Sequence, residues 1–191
     1  MRDLFWIFVS SMLVNNFTLV LFLGLCPFLG VSAKVATAVR MGMADIFVLV
    51  ITSITVSALN AWVLPHAPYL KIIAFIVVIA SLVQIVEMVI RKVSPALFRE
   101  LGIYLPLITT NCAILGLALL QTSKGYGFAE GVVYAIGSGL GLTLALVLMA
   151  SIRETVELAS VPAVARNMGL VLILAGSLSL AFMGFAGLFS S

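Results

Sequence analysis

Six apolar stretches, each near the length of a membrane crossing, dominate this chain. They run from Leu4 to about Val31, then Met41–Val63, Leu70–Ile90, Leu101–Leu120, Ala129–Met149 and Met168–Leu188. A helix needs about 20 apolar residues to cross a hydrocarbon core roughly 30 Å thick. Lipid offers backbone groups no hydrogen-bond partners, so such stretches are expected as helices, each satisfying its own backbone. The alternating pattern of membrane barrel strands is absent. The chain is 63% hydrophobic and 9% charged over 191 residues, more apolar surface than a soluble core of this size uses. The expected fold class is an all-α integral membrane protein of six transmembrane helices in one membrane domain, residues 1–191. The first stretch lacks a basic region followed by a small-residue cleavage site, and five more spans follow it. It reads as a retained span, not a signal peptide.

The net charge of +3 signals topology, and no nucleic-acid partner is expected. Lys34 and Arg40 lie between spans one and two, Arg91, Lys92 and Arg99 between three and four, and Arg153 and Arg166 between five and six. The opposite side holds only Arg2, Lys71 and Lys124. The positive-inside rule puts the richer side in the cytoplasm and both termini outside. His66, between Pro65 and Pro68, then falls in an outer loop flanked by the interfacial aromatics Trp62 and Tyr69.

Within this pattern the chain repeats itself. Cys26-Pro27-Phe28-Leu29-Gly30 returns as Cys112-Ala113-Ile114-Leu115-Gly116, 86 residues on. The same offset carries span two onto span five, and fits span three onto span six poorly because the loop around Ser160-Val161-Pro162 is longer. A repeat of three spans re-enters from the opposite face, so residues 1–94 and 95–191 are expected to be inverted repeats. Their functional site belongs near the midplane between them. Both cysteine segments also read as broken helices. Asn15-Asn16, Gly24, Pro27 and Gly30 interrupt the first stretch, and Pro106, Thr109, Thr110 and Asn111 precede Cys112 in the fourth. Proline removes a donor, Asn and Thr can satisfy freed backbone groups, and broken helices are tolerated where protein encloses them.

Cys26 and Cys112 are the only cysteines, and both are expected to be buried. A lone intramembrane cysteine is usually a small packing residue. Two at matched repeat positions point instead to shared metal ligation, with both residues binding a cofactor. Iron–sulfur clusters are held by four thiolates, and structural zinc sites also take four ligands. This chain has two thiols and one loop histidine, so another subunit or a second copy of this chain must complete either site. A centre near the midplane would divide a roughly 30 Å crossing into two electron-transfer steps.

Val14-Asn15-Asn16-Phe17, Phe22-Leu23-Gly24-Leu25-Cys26-Pro27-Phe28 and Leu105-Pro106-Leu107-Ile108-Thr109-Thr110-Asn111-Cys112-Ala113 resemble signatures of the RnfA/RnfE and NqrD/NqrE family of membrane subunits. Ile152-Arg153-Glu154 and Ala181-Phe182-Met183-Gly184-Phe185-Ala186-Gly187 are similar too, and the resemblance covers essentially the whole chain. Within the family, Asn15-Asn16 and Cys26-Pro27 look more like the RnfA type than the NqrE type. The resemblance implies a subunit of the Rnf complex of the bacterial inner membrane. That complex couples electron flow between ferredoxin and NAD to movement of Na+ or H+. It further implies a [2Fe–2S] cluster shared with an RnfE-like chain of opposite orientation, with Cys26 and Cys112 as this chain's ligands. Flavins, NAD and further clusters would then belong to partner subunits of the B, C, D and G types.

The chain has no nucleotide-binding glycine motif following a strand. Gly137-Ser138-Gly139-Leu140-Gly141 lies inside span five and reads as a close helix contact. Glu87 sits four residues before Arg91 and reads as a helix ion pair. Asp45, near Arg40, reads as an interfacial anchor, and an ion-path role is the alternative for both carboxylates. Arg153-Glu154 is expected to contact a neighbour or lipid headgroups. Rival functions remain open at this point: the equivalent NqrE-like subunit of a Na+-translocating NADH:quinone oxidoreductase, a small inverted-repeat secondary transporter, and a structural scaffold.

Overall fold

The computed structural model describes residues 2–32, 34–62, 71–93, 107–108, 110–157 and 168–188. Regular structure among the described residues is entirely helical: α1 (Arg2–Val9), a π-helical turn (Ser10–Val14), α2 (Leu25–Val31), α3 (Val35–Trp62), α4 (Lys71–Val93), α5 (Cys112–Ser123), α6 (Phe128–Glu157) and α7 (Met168–Leu188). Three helices, Val35–Trp62, Lys71–Val89 and Phe128–Val156, are long and apolar enough to cross a membrane. Leu4–Val14, Cys112–Ser123 and Gly169–Gly184 are shorter apolar helices. The first apolar stretch is therefore interrupted where Asn15, Asn16 and Gly24 stand, whereas Pro27 and Gly30, also expected to interrupt it, lie within α2, and a helix begins at Cys112 within the fourth. The expectations for Pro65, His66, Pro68, Tyr69, Arg99, Pro106, Thr109, the loop at Ser160-Val161-Pro162 and Arg166 fall outside the described residues.

The core is built on α3 and α6, which pack antiparallel. Gly42 lies against Thr143, Ile46 against Gly139, and Ser53 against Gly131. A β-carbon on Gly139 would stand 2.8 Å from Ile46 Cγ1, so this seam exists because the glycines let the backbones approach. The opposite side of the same glycine run receives the N-terminal segment. A β-carbon on Gly137 would meet Phe8 O at 2.8 Å, and one on Gly141 would meet Met12 O at 2.7 Å. The glycine run is a packing surface, as its sequence suggests. At one end of the pair, Arg153 donates to Ser32 Oγ (3.0 Å) and Leu29 O (3.4 Å), and Glu154 Oε1 accepts from the Val35 N–H (3.0 Å). Arg153-Glu154 thus ties α6 to the α2–α3 junction. In contrast to this core, α4 turns Ile72, Ile73, Ile76, Val77, Ile85, Met88 and Val89 outward, an apolar face suited to lipid.

The first break is held by its own asparagines. The Asn15 N–H donates to Ser10 O at 2.7 Å, closing the π-helical turn, and its side chain donates to Ser10 Oγ. Fully buried Asn16 donates from Nδ2 to Gly141 O (2.7 Å) and Met12 O (3.3 Å). Its Oδ1 accepts from the Thr18 and Leu19 N–H groups (3.0 and 3.2 Å). One side chain thus bonds four backbone groups, three of the interrupted N-terminal segment and one, Gly141 O, of α6. Phe17, also fully buried, meets the Tyr134 ring edge-on at 5.9 Å, and Ser179 on α7 donates to Leu19 O at 2.6 Å.

Replacing Asn16 with Ala strands the Thr18 and Leu19 N–H groups in an apolar interior, at about 1–3 kcal/mol for a buried group left unsatisfied. Asn16→Ala should lower the midpoint of thermal unfolding in detergent well beyond Asn15→Ala, whose side chain serves a single hydroxyl. Equal midpoints for the two variants would refute this account of the break.

Candidate redox-thiol site

Each cysteine stands in the first turn of a helix that follows an irregular segment. Cys26 is the second residue of α2, and Cys112 is the first of α5. The two helix starts are built differently. Gly24 precedes α2 with φ of +79°, a left-handed conformation that glycine adopts without the penalty a β-carbon brings. Asn111 precedes α5 with extended backbone, and its Oδ1 accepts from the Ala113 N–H at 3.0 Å, the usual asparagine N-cap.

The two segments meet. The Gly24 N–H donates to Cys112 Sγ at 2.9 Å across 88 residues of sequence. A β-carbon at Gly24 would touch Leu142 Cδ1 at 3.0 Å and Asn111 Oδ1 at 3.4 Å, so the glycine sits in a close-fitting niche. Gly116, one turn into α5, is capped by Leu23. Phe22, just before Gly24, takes φ of +56°. A bulky side chain rarely adopts that conformation, which marks a locally strained backbone beside the site.

The expectation that both thiols are buried is corrected. Cys26 is exposed on the surface of the chain and Cys112 is partly exposed. On α2 the residues following Cys26, Pro27 and Phe28, turn into the core with Val31, which leaves the cysteine on the outer side of this short helix. Cys112 lines a cavity of about 270 Å³ with Thr110, Asn111, Leu115 and, from α4, Ile76, Ile79 and Ala80. No group of three or more His, Cys, Asp or Glu side chains converges among the described residues.

Asp45 also departs from the sequence reading. It is not an interfacial anchor. It is fully buried on α3, and its Oδ1 accepts from Asn111 Nδ2 at 3.3 Å. Asn111 therefore spans from the Asp45 carboxylate to the helix start that bears Cys112. The sequence signal was present, a carboxylate inside an apolar stretch, but nearby Arg40 suggested the membrane surface. Glu87 and Arg91 lie one turn apart on α4.

Comparison with known proteins fits this arrangement. The family model described as Rnf-Nqr subunit, membrane protein, matches residues 4–189. The chain belongs to the Rnf-Nqr family of membrane subunits. This Rnf-Nqr chain is 57% identical over 190 residues to a Syntrophotalea carbinolica protein named as the A-type component of an ion-translocating oxidoreductase complex, with 98% of each chain covered. It is 52% identical, at the same coverage, to the proteins of that name from Shigella flexneri and Serratia proteamaculans. An Rnf-Nqr chain with these helices is a multi-pass membrane protein.

Gly24→Ala forces a β-carbon into the left-handed region and against Leu142. It should cost about 1–2 kcal/mol from the backbone alone and loosen the N–H contact to Cys112. The expected outcome is faster alkylation of Cys112 by a small maleimide, scored by peptide mass spectrometry, with Cys26 as the internal control. An unchanged Cys112 rate would show that Gly24 does not shield the sulfur.

Proposed function

We propose that this chain is an electron-carrying membrane subunit of an Rnf-type ion-translocating oxidoreductase, with ferredoxin and NAD as the complex's ultimate redox partners. In this reading Cys26 and Cys112 supply half the ligands of a [2Fe–2S] cluster, and a homologous RnfE-like subunit of opposite orientation supplies the rest. The observation that carries the reading is the meeting of the two cysteine segments through the Gly24 N–H and Cys112 Sγ.

The donor set fits such a centre as half of a site. Four thiolates are the ordinary requirement, this chain has two, and exposed Cys26 is open to a neighbouring protein. When bound, the cluster would accept and release single electrons. What the chain does is describable from its own residues. Asn111 caps α5 and fixes the backbone on which Cys112 stands. Gly24 directs an N–H at the sulfur, and hydrogen bonds to ligating sulfurs are among the features that set a cluster's potential. The apolar residues Ile76, Ile79 and Leu115 line the same cavity as Cys112.

The relatives' shared name, the A-type component of an ion-translocating oxidoreductase complex, supports the Rnf reading over the quinone-reducing one. The inverted-repeat reading of residues 1–94 and 95–191 is supported by the cysteines' parallel placement in the first turns of α2 and α5. The basic residues of alternate loops favour a cytoplasmic-membrane location with both termini outward. The remaining subunits, of the B, C, D and G types, would carry the flavins and the nucleotide site.

The test is the whole complex purified with the wild-type chain, with Cys26→Ala and with Cys112→Ala. Iron content and low-temperature EPR spectra of the reduced protein should show one iron–sulfur signal lost in each variant while the subunits remain assembled. Unchanged iron and spectra in both variants would overturn the ligand assignment and favour a transporter or scaffold in which the cysteines only pack.

A further inference from the structure

Asp45 is the one charged-type side chain that is fully buried among the described residues. Counting from the start of α3 at Val35, it lies ten residues in, about 15 Å along the axis at 1.5 Å per residue. Its hydrogen-bond partner is a neutral amide, Asn111 Nδ2 at 3.3 Å. Its second oxygen, Oδ2, has no hydrogen-bond partner among the described residues. An isolated carboxylate in an apolar interior is too costly to remain both charged and uncompensated. A cation at Oδ2 removes the cost, and a proton is the smallest that can.

We infer that Asp45 is a cation-exchange site of this chain: its carboxyl takes up and releases a monovalent cation, a proton or an alkali ion, inside the helix bundle. The inference deepens the proposed function and rests on it for its purpose, because an ion-translocating complex needs a group within the membrane that can change its cation load. A purely structural role fits the geometry less well. Accepting one hydrogen bond from Asn111 requires only an amide oxygen, which asparagine would provide without a buried charge. Asn111 also links the two sites: Nδ2 binds Asp45, Oδ1 caps the Ala113 N–H, and its backbone leads directly into Cys112.

The elements packed against α3 carry the other groups that can titrate or bear charge. These are Cys26 on α2, Lys71, Glu87, Arg91 and Lys92 on α4, Cys112 on α5, and Glu130, Tyr134, Arg153, Glu154 and Glu157 on α6. On α3 itself Arg40 stands five residues before Asp45. Of the carboxylates, Glu154 is committed to the Val35 N–H and Glu130 to the Gly127 N–H. Neither is buried as Asp45 is.

The measurement is infrared difference spectroscopy of the purified complex, with wild-type chain, Asp45→Asn, Asp45→Glu and Cys112→Ala. The carboxyl C=O band is followed across pH in choline and in sodium buffers. A protonated-carboxyl band present in wild type, lost in Asp45→Asn and shifted in Asp45→Glu is the expected result. Suppression of the band by sodium at fixed pH identifies the ion as an alkali cation, whereas dependence on pH alone identifies it as a proton. In proteoliposomes, Asp45→Asn should abolish redox-driven ion uptake while iron content stays at the wild-type level. Superimposable wild-type and Asp45→Asn spectra under all conditions, or wild-type ion uptake by Asp45→Asn, would overturn the assignment. If Asp45→Asn fails to assemble, the shifted band of Asp45→Glu decides. The infrared signal does not depend on iron. A persistent Asp45 band alongside unchanged iron in the cysteine variants would refute the ligand reading alone. A silent spectrum beside a cluster lost with Cys112 would refute the Asp45 site alone.

Discussion

A backbone that leaves the helix inside a membrane must find its hydrogen bonds within the protein, and that requirement organises this chain. Both irregular segments lie next to the cysteines, and each is resolved by an asparagine. Asn16 closes the first from within, serving four backbone groups with one amide. Asn111 closes the second by capping α5 and reaching Asp45. Without these two side chains the Thr18, Leu19 and Ala113 N–H groups would lose the partners they have here. With them, the backbone can leave the helix just before each cysteine.

The glycines of α6 are the other half of that arrangement. Gly139 admits α3 on one side, while Gly137 and Gly141 admit the N-terminal segment on the other. Gly141 contributes more than space, because its carbonyl is one of the acceptors for Asn16 Nδ2. The run that lets three segments converge therefore also supplies a partner for the break. Leu142, the next residue along, packs against Gly24, whose N–H meets Cys112 Sγ. A single stretch of α6 thus supports both the interruption and the contact between the cysteine segments.

Much of this was legible in the sequence. The apolar stretches gave the helical class, Asn15, Asn16 and Gly24 marked the first interruption, and the glycine run was readable as a packing surface. The matched cysteines drew attention to the segments that do meet. What the sequence withheld were properties set by tertiary direction. Cys26 lies in an apolar stretch, yet the inward turn of Pro27 and Phe28 leaves it exposed, and no count of apolar residues reveals which side of a seven-residue helix faces out. Asp45 was visible, but its partner is 66 residues away. Proximity in sequence to Arg40 was the only local clue, and it pointed to the wrong environment. The Gly24 contact with Cys112 was invisible for the same reason, since a backbone N–H has no sequence signature.

The position of Asp45 relative to Cys112 has an electrostatic consequence. Asn111 bonds to one and is covalently adjacent to the other, so no full helix turn separates the carboxylate's partner from the thiol. Two unit charges about 10 Å apart at an effective dielectric near 20 interact by roughly 1.7 kcal/mol, about a seventeenfold change in an equilibrium constant. For the cation exchange we propose at Asp45, a change of charge at the Cys112 sulfur would therefore shift how tightly the cation is held, and the reverse shift must be equal in binding free energy. On the Asp45 side the interior, with Val48, Leu49, Ile114 and Leu117 all buried, limits screening by water. A carboxylate at the membrane surface would lose most of this coupling to solvent and salt, which gives the burial of Asp45 a physical purpose that an interfacial anchor would lack.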